Sequence, residues 1–488
     1  MSKALVIGAG IAGIASAIRL AAKGYEVEVY EANAYPGGKI AEVKLKGYRF
    51  DAGPSLLTMP QYIDELFELA GKDSRNYIKY EKLDLICRYF YEDGTRIDAW
   101  ADDAKFVEEL AAKTVDSKES VSRFLKKSAA IYDITHHVFL EKSLHKLSTY
   151  TNLQTARSIL RFPQIDSFRT LNQANRQFFK DSKTTRIFNR YATYNGSDPY
   201  RSPATLNVIP HLERGFGAFI PEKGMYDITD ALVTLARELG VKFNFNKKVE
   251  KIIHENGRVK GLLIEKDFVP ADLVVSNSDI WFVYKNLLKD EPMPKNVQNQ
   301  ERSSSALIFY WCIEKDFPEL DLHNIFFSEN YEEEFNYIWK RKDIYFDPTV
   351  YVNISCKINM TDAPIGCENW FVLVNAPGNE GQDWQKLIVQ ARENIIKKLS
   401  RILGKDISEF ISAEQILDPT TIQSKTGSYR GSLYGASSNS LTAAFLRHPN
   451  FSSTIKNLYF VGGSVHPGGG IPLALLSAKI APDLVPDK

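Results

Sequence analysis

Ala4-Leu-Val-Ile-Gly-Ala-Gly-Ile-Ala-Gly13 is the stretch whose reading decides the fold. Ala4 to Ile7 form a short apolar run, long enough for a buried parallel strand. Gly8, Gly10 and Gly13 follow in the G-x-G-x-x-G spacing. Ile11, Ile14, Ala15, Ile18 and Ala21 then recur at helical spacing until Gly24, and Glu26 to Tyr30 alternate as a second strand that ends on Glu31. Each residue has a task at a dinucleotide. Gly8 permits the tight turn, Gly10 lets a pyrophosphate approach the backbone, and Gly13 lets the helix lie close on the strand. The helix start offers free N–H groups and a positive dipole end to phosphate. Glu31 can accept hydrogen bonds from a ribose 2′-hydroxyl and would repel a 2′-phosphate. The unit points to a dinucleotide without saying which.

The next residues narrow the choice. Pro36-Gly37-Gly38-Lys39 comes soon after the acid, then Phe50-Asp-Ala-Gly-Pro-Ser55. This order resembles the FAD-dependent amine oxidase and carotenoid desaturase superfamily, in which a second glycine pair and the basic residue after it lie along the FAD diphosphate and ribityl chain. Lys39 stands where that family usually has Arg, so the charge is kept and the bidentate fork lost. The alternative for Gly37-Gly38 is an ordinary turn.

The C-terminus carries the second stretch. Asn457-Leu-Tyr-Phe-Val461 reads as a strand, Gly462-Gly-Ser-Val-His-Pro-Gly-Gly-Gly470 as a loop, and Ile471-Pro-Leu-Ala-Leu-Leu-Ser-Ala-Lys479 as a helix with Pro in its first turn. The wording Val-Gly-Gly-x-x-His-Pro-Gly-x-Gly-Ile-Pro resembles carotenoid desaturases of the bacterial phytoene desaturase type. In that family the helix points at the pyrimidine edge of the flavin, where its positive end favours the reduced anion. With the fingerprint residues, the resemblance implies FAD contacts at Gly8, Ala9, Gly10, Ile11, Ala12, Gly13, Glu31, Ala32, Gly38, Lys39, Gly53, Pro54, Ser55, Val249, Gly462, Gly463, Gly470, Ile471 and Pro472.

It further implies an α/β flavoprotein of the two-dinucleotide-binding type. A Rossmann-like FAD domain would draw on residues 1–75, 225–285 and 436–488. A substrate domain of mixed sheet and helices would draw on 76–224 and 286–435. The expected activity is FAD-dependent desaturation of a carotenoid, by transfer of a hydride to the flavin from a CH2 beside a conjugated chain; the second proton can leave to water or a weak base. Phe-Asp-Ala-Gly-Pro-Ser-Leu-Leu-Thr-Met-Pro60 leans towards enzymes that desaturate the 3,4 bond of hydroxylated acyclic carotenoids. A phytoene desaturase or a carotenoid isomerase of the same fold is the alternative; a flavin amine oxidase and a prenyl-binding escort protein without FAD stand further off. No paired carboxylates, Ser/His/Asp order or metal-ligand spacing is evident. His466 has two readings, as proton acceptor in the flavin-edge loop or as a structural residue holding that loop.

Bulk properties fit this picture. The 488 residues are 44% hydrophobic and 25% charged, with 61 Lys and Arg against 60 Asp and Glu, so no basic excess suggests nucleic acid as a partner. Cys87, Cys312, Cys356 and Cys367 show no CxxC spacing and read as reduced thiols of a cytoplasmic protein. The first strand begins with no charged n-region or cleavage site before it, so no secretory leader is expected, and no run reaches the roughly 18 apolar residues of a spanning helix.

Between the two glycine-rich ends, Leu56 to Met59 form an apolar segment that fits either a hydrophobic entrance or the core, ahead of a helix with Ile63, Leu66, Phe67 and Ala70 as its stripe. Cys87 to Trp100 read as a hairpin around Asp93-Gly94, and helical periodicity holds from Asp102 to about Tyr191. Within that region Lys142, Lys146, Arg157, Arg161, Arg169, Arg176, Lys180, Lys183, Arg186 and Arg190 alternate with Leu144, Leu147, Leu153, Ile159, Leu160, Phe162 and Phe168. The pattern suits the surface of an anionic bilayer, at about 1 kcal/mol per placed cation; a solvated basic face over core residues is the alternative. A helix is expected from about Tyr226 to Leu239, a hairpin from Val249 to Ile264 around Asn256-Gly257, and a strand at Leu273. Ala306 to Ile313, Thr349 to Ile354 and Trp370 to Val374 suit a second sheet with one face on a cavity. The expected partners are a hydrophobic carotenoid, a membrane surface at its inner face, and oxygen or a quinone as electron acceptor.

Overall fold

The computed structural model describes residues 2–150, 155, 158, 160–440, 443 and 446–487. Lys3–Ile7 is the central strand of a five-stranded parallel sheet. The order is Leu458–Phe460, Leu273–Ser276, Lys3–Ile7, Glu26–Tyr30, Lys242–Asn244. Alternation along the central strand divides two cores. Ala4 and Val6 face the helices Ile11–Ala22, Tyr226–Glu238 and Ile471–Asp483. Leu5 and Ile7 face a three-stranded antiparallel sheet, Val249–Glu255, Arg258–Ile264 and Asp267–Pro270. Helices and a small sheet thus cover the two faces, as a parallel sheet requires.

A seven-stranded mixed sheet forms the second layer. Its order is Ile411–Leu417, Ser305–Ile313, Glu368–Ala376, Val350–Ile354, His323–Phe326, Leu85–Phe90, Arg96–Trp100. One pairing, His323–Phe326 with Leu85–Phe90, is parallel; the others are antiparallel. Leu307, Phe309, Trp311, Val372 and Val374 pack on the helix Trp384–Leu403 behind the sheet. Ile308, Tyr310 and Phe371 point the other way, beside Tyr48 and Phe50.

The region from Asp102 onwards is more broken than its periodicity suggests. Helices Asp103–Lys113, Lys118–Thr135, Leu171–Phe178 and Ser182–Asn189 are separated by stops with local causes. Ser117 caps one helix, and Thr170 and Gln173 form a capping box at another. Among the pairings that went unread are the hairpin Glu42–Leu45 with Tyr48–Asp51, turning at Lys46-Gly47, and the outer strand Asp267–Pro270. Their turns lack the Asn-Gly or Asp-Gly pair that marked the others.

The basic, apolar segment divides. Leu160 and Phe168 are 81% and 85% exposed, and Lys142, Arg161, Arg176 and Lys180 are exposed as well. Leu144 is buried, Phe162 packs beside Ile131, Ile134 and Ile165, and Lys183 and Arg169 pair with Asp93 and Asp166. Arg190 does not belong to a surface at all. It is buried with Glu213, so neither a solvated nor a lipid-facing place holds for it. Leu153, Arg157 and Ile159 lie outside the described residues, as does the side chain of Leu147. Among the described residues, no helix is long and apolar enough to cross a membrane.

Candidate active site

Four strands of the parallel sheet end, at their carboxyl termini, on one crevice, the place where open α/β sheets hold ligands. Lys3–Ile7 runs into Gly8, Glu26–Tyr30 into Glu31, Leu273–Ser276 into Asn277, and Leu458–Phe460 into Gly462. Gly8 has φ +90°, and a Cβ on Gly13 would lie 2.1 Å from the Gly8 carbonyl oxygen, so the helix sits as close to the turn as only glycine allows. Glu31 is buried and accepts from the Ala9 amide at 2.7 Å and from the Asn33 amide and side chain at 2.8 Å each. Its lone pairs are not exhausted by these bonds, so it can still accept from a ribose. The Lys247 amide donates to the Glu31 carbonyl at 2.8 Å, which brings the chain leading to Val249 beside this acid. Ala32, next in sequence, is exposed.

Asn277 was missed by the sequence reading. Its amide donates to the Ile7 carbonyl at 2.8 Å and its side chain to the Val461 carbonyl at 3.2 Å, joining the two glycine loops. The available signal was its position, the first polar residue after a buried strand. Gly462 is held in turn by Ser477 Oγ, which accepts its amide at 2.7 Å. Arg447 is buried and donates to the carbonyls of Tyr434 and Gly463 at 3.1 and 3.3 Å; loss of solvent draws its pKa down to about 10.

Beside this crevice a cavity of about 390 Å³ lies along the seven-stranded sheet, within the usual range for small-molecule sites. Gly38, Lys39, Gly53, Pro54, Ser55, Gly470, Ile471 and Pro472 border it. The fingerprint residues Gly8 to Gly13, with Glu31, Val249, Gly462 and Gly463, lie outside it along the strand ends. Gly38 joins the two zones, for a Cβ on it would stand 3.3 Å from Gly10 Cα. Beyond, the wall is mostly side chains from one face of the seven-stranded sheet: Ile308, Tyr310, Phe371 and Leu373. Leu56 and Thr58 line the cavity while Leu57 and Met59 are buried, so the apolar segment serves both purposes by turns.

Lys39 donates to the carbonyls of Ser432 and Leu433, at 3.1 and 2.6 Å. Desolvation draws its pKa down to about 8, against the opposing pull of Asp279. His466 lies apart from the cavity. Its ring is buried, and Nε2 donates to the Lys142 carbonyl at 2.8 Å. Among the described residues one group has metal-ligand geometry that the sequence spacing did not reveal. His136, His137 and Glu141 meet across a π-helical turn with ligand atoms within 4.8 Å of one another.

Sheet, loops and cavity together define a flavoprotein of the two-dinucleotide-fold class. The chain belongs to the flavin containing amine oxidoreductase family, whose model matches residues 11–485. It is 51% identical over 487 residues to 1-hydroxycarotenoid 3,4-desaturase from Flavobacterium sp. (strain P99-3), with 100% of this chain and 99% of that protein covered. It is 34% identical over 495 residues to 4,4'-diapolycopene oxygenase from Methylomonas sp, with 99% and 98% covered. An oxidoreductase structure from Methanosarcina mazei shares the fold, with TM-score 0.65 at 18% identity and 98% and 99% of the two chains covered.

The cofactor is FAD, and the residues present fit it. The helices Ile11–Ala22 and Ile471–Asp483 both begin on glycine with no side-chain cap and no acid in the first turn, which leaves two dipole ends open to negative charge. Gly470, with φ +100°, has open space where a Cβ would stand.

Proposed function

We propose that this protein desaturates an acyclic, 1-hydroxylated carotenoid, using FAD and taking its substrate from a membrane surface. The observation that carries this reading is the cavity, which runs from the flavin-binding glycines along an apolar sheet face. The 51% identity to a 1-hydroxycarotenoid 3,4-desaturase over the whole chain supports the substrate class.

FAD, when bound, supplies a hydride acceptor for a C–H bond beside the polyene. The fingerprint loop and Glu31 would hold its adenosine and diphosphate, and Gly38, Lys39, Gly53 to Ser55 and Gly470 to Pro472 its ribityl and ring portion. Ile308, Tyr310, Phe371 and Leu373 align the polyene and keep water from it. The cofactor unit comprises residues 1–75, 225–285 and 436–488, and the substrate unit 76–224 and 286–435. Exposed Leu160 and Phe168, with nearby-in-sequence cations, supply the membrane contact at the inner face. Oxygen or a quinone takes the electrons onward.

The test is anaerobic addition of a 1-hydroxylated acyclic carotenoid in liposomes to the purified yellow protein. Flavin bands that bleach as the carotenoid spectrum shifts red are expected. A changed cis/trans composition with no added conjugation would make it an isomerase. Peroxide from simple amines alone would make it an amine oxidase.

A further inference from the structure

One stretch of the cavity wall is more polar than a hydrocarbon substrate requires. Arg190 and Glu213 are both buried there, 3.4 Å apart. They are satisfied within the protein: Glu213 also accepts from the hydroxyls of Tyr191 and Tyr194, and Arg190 donates to Tyr89 and Tyr194. The opposite strands carry a second network. Ser55 Oγ lies 2.6 Å from the Tyr351 hydroxyl, which lies 2.7 Å from His323 Nδ1.

Donor counting gives this network a direction. Asn353 Nδ2 donates to the Leu322 carbonyl at 3.0 Å and, from the same nitrogen, to His323 Nδ1 at 3.2 Å. Nδ1 is therefore an acceptor, and the proton of the neutral ring is on Nε2. Burial, with the charge of Arg190, keeps that ring neutral, its pKa drawn down to about 3. Tyr351 donates to Nδ1 and accepts from Ser55. The network thus ends in the Nε2–H of His323, a buried residue of the cavity wall. That nitrogen has no hydrogen-bond partner among the described residues. Buried donors left in this state are uncommon and costly.

We propose that His323 recognises the oxygen at the substrate's end, its Nε2–H donating to the hydroxyl of a hydroxylated acyclic carotenoid and so selecting it over the hydrocarbon counterpart. The inference rests on the desaturase reading and adds the residue that sets selectivity. The substrate's own chemistry supports the position. In a 1-hydroxylated chain desaturated between carbons 3 and 4, a single methylene separates the hydroxyl carbon from the nearer reacting carbon. The donor to that hydroxyl must therefore lie beside the cofactor, and His323 is two hydrogen bonds from Ser55 in the proposed FAD stretch.

The test compares kcat/KM for a 1-hydroxylated carotenoid and for the same chain lacking the hydroxyl, in identical vesicles, with flavin content measured alongside. Wild type should favour the hydroxylated chain by about a hundredfold or more, as sites built to bond a hydroxyl do. His323→Leu should bring that ratio to within about threefold of one. His323→Gln, which keeps a side-chain N–H donor, should restore at least about tenfold selectivity. His323→Met reads the same ratio should the leucine variant not fold. A ratio unchanged in the leucine or methionine variant, or equal losses on both substrates, overturns the proposal. A wild type that desaturates both chains equally overturns it while leaving the desaturase standing. A flavin-loaded wild type that acts on neither overturns the desaturase reading, and this inference with it.

Discussion

Burial decides what the histidines of this protein can do. His466 has its Nε2 proton committed to the Lys142 carbonyl, and loss of solvent draws its pKa down from 6.5 to about 4. A group in that state is neutral at pH 7, and its bond ties the loop between Gly462 and Gly470 to Lys142. The linkage has a definite sign. The folded pKa lies below the unfolded one, so between about pH 6.5 and 4 the unfolded chain binds the extra proton and stability falls with pH. His466→Gln keeps an N–H for the Lys142 carbonyl and removes the titration. Comparing urea unfolding at pH 7.5 and 5.5, the variant should lose less stability than wild type by about 1 kcal/mol. Equal losses would mean that His466 is solvated in the folded state. The sequence placed this residue in the right loop but could not show that its ring is covered.

A single strand separates stability from substrate handling, because successive side chains of a strand leave the sheet on opposite sides. Val372 faces the helix Trp384–Leu403 in the rear core, and its neighbour Leu373 faces the cavity. Val372→Ala removes buried methyl groups and leaves a void, so a loss of about 2 kcal/mol is expected in thermal unfolding, with KM for the carotenoid within about twofold of wild type. Leu373→Trp adds bulk on the open side. It should leave the melting temperature close to wild type and lower kcat/KM at least about tenfold by filling the substrate's space. If Val372→Ala weakened substrate binding as strongly as Leu373→Trp, the two faces would not be independent. Elements of this kind were largely legible in the sequence. The runs at Ala306 and Trp370 were read as strands of a second sheet from their apolar, β-rich make-up. The facing of Ser305–Ile313 was hidden, since the strand is buried on both sides and reads as one apolar run. The site was legible where backbone geometry demands glycine, at both ends of the chain. It was not legible at Asn277, Tyr351 or His323, which act by where the fold brings them and have no local signature.

At the scale of the whole molecule, the proposed carotenoid substrate is insoluble in water, and the lipid contact proposed for this protein can be tested on its surface side chains. The described helices include none able to span, and the segment read as basic and apolar keeps Leu160 and Phe168 largely exposed near Lys142, Arg161, Arg176 and Lys180 in sequence. Apolar insertion and electrostatic attraction are separable. Attraction to an anionic surface is screened by salt within a distance of about 8 Å at physiological ionic strength, whereas side-chain insertion is not. Binding to vesicles rich in anionic lipid should therefore exceed binding to neutral vesicles and fall as salt rises. Leu160→Glu with Phe168→Glu should lower binding at all salt concentrations, by about tenfold or more given roughly 1.5–3 kcal/mol for each buried apolar side chain. Co-sedimentation measures both effects, and turnover of detergent-dispersed carotenoid reports whether the altered protein still holds flavin and substrate. Loss of vesicle binding with that turnover kept would tie the segment to lipid. Undiminished binding in the double variant would show that these two side chains lie on a solvent face and that lipid contact is made elsewhere on the protein.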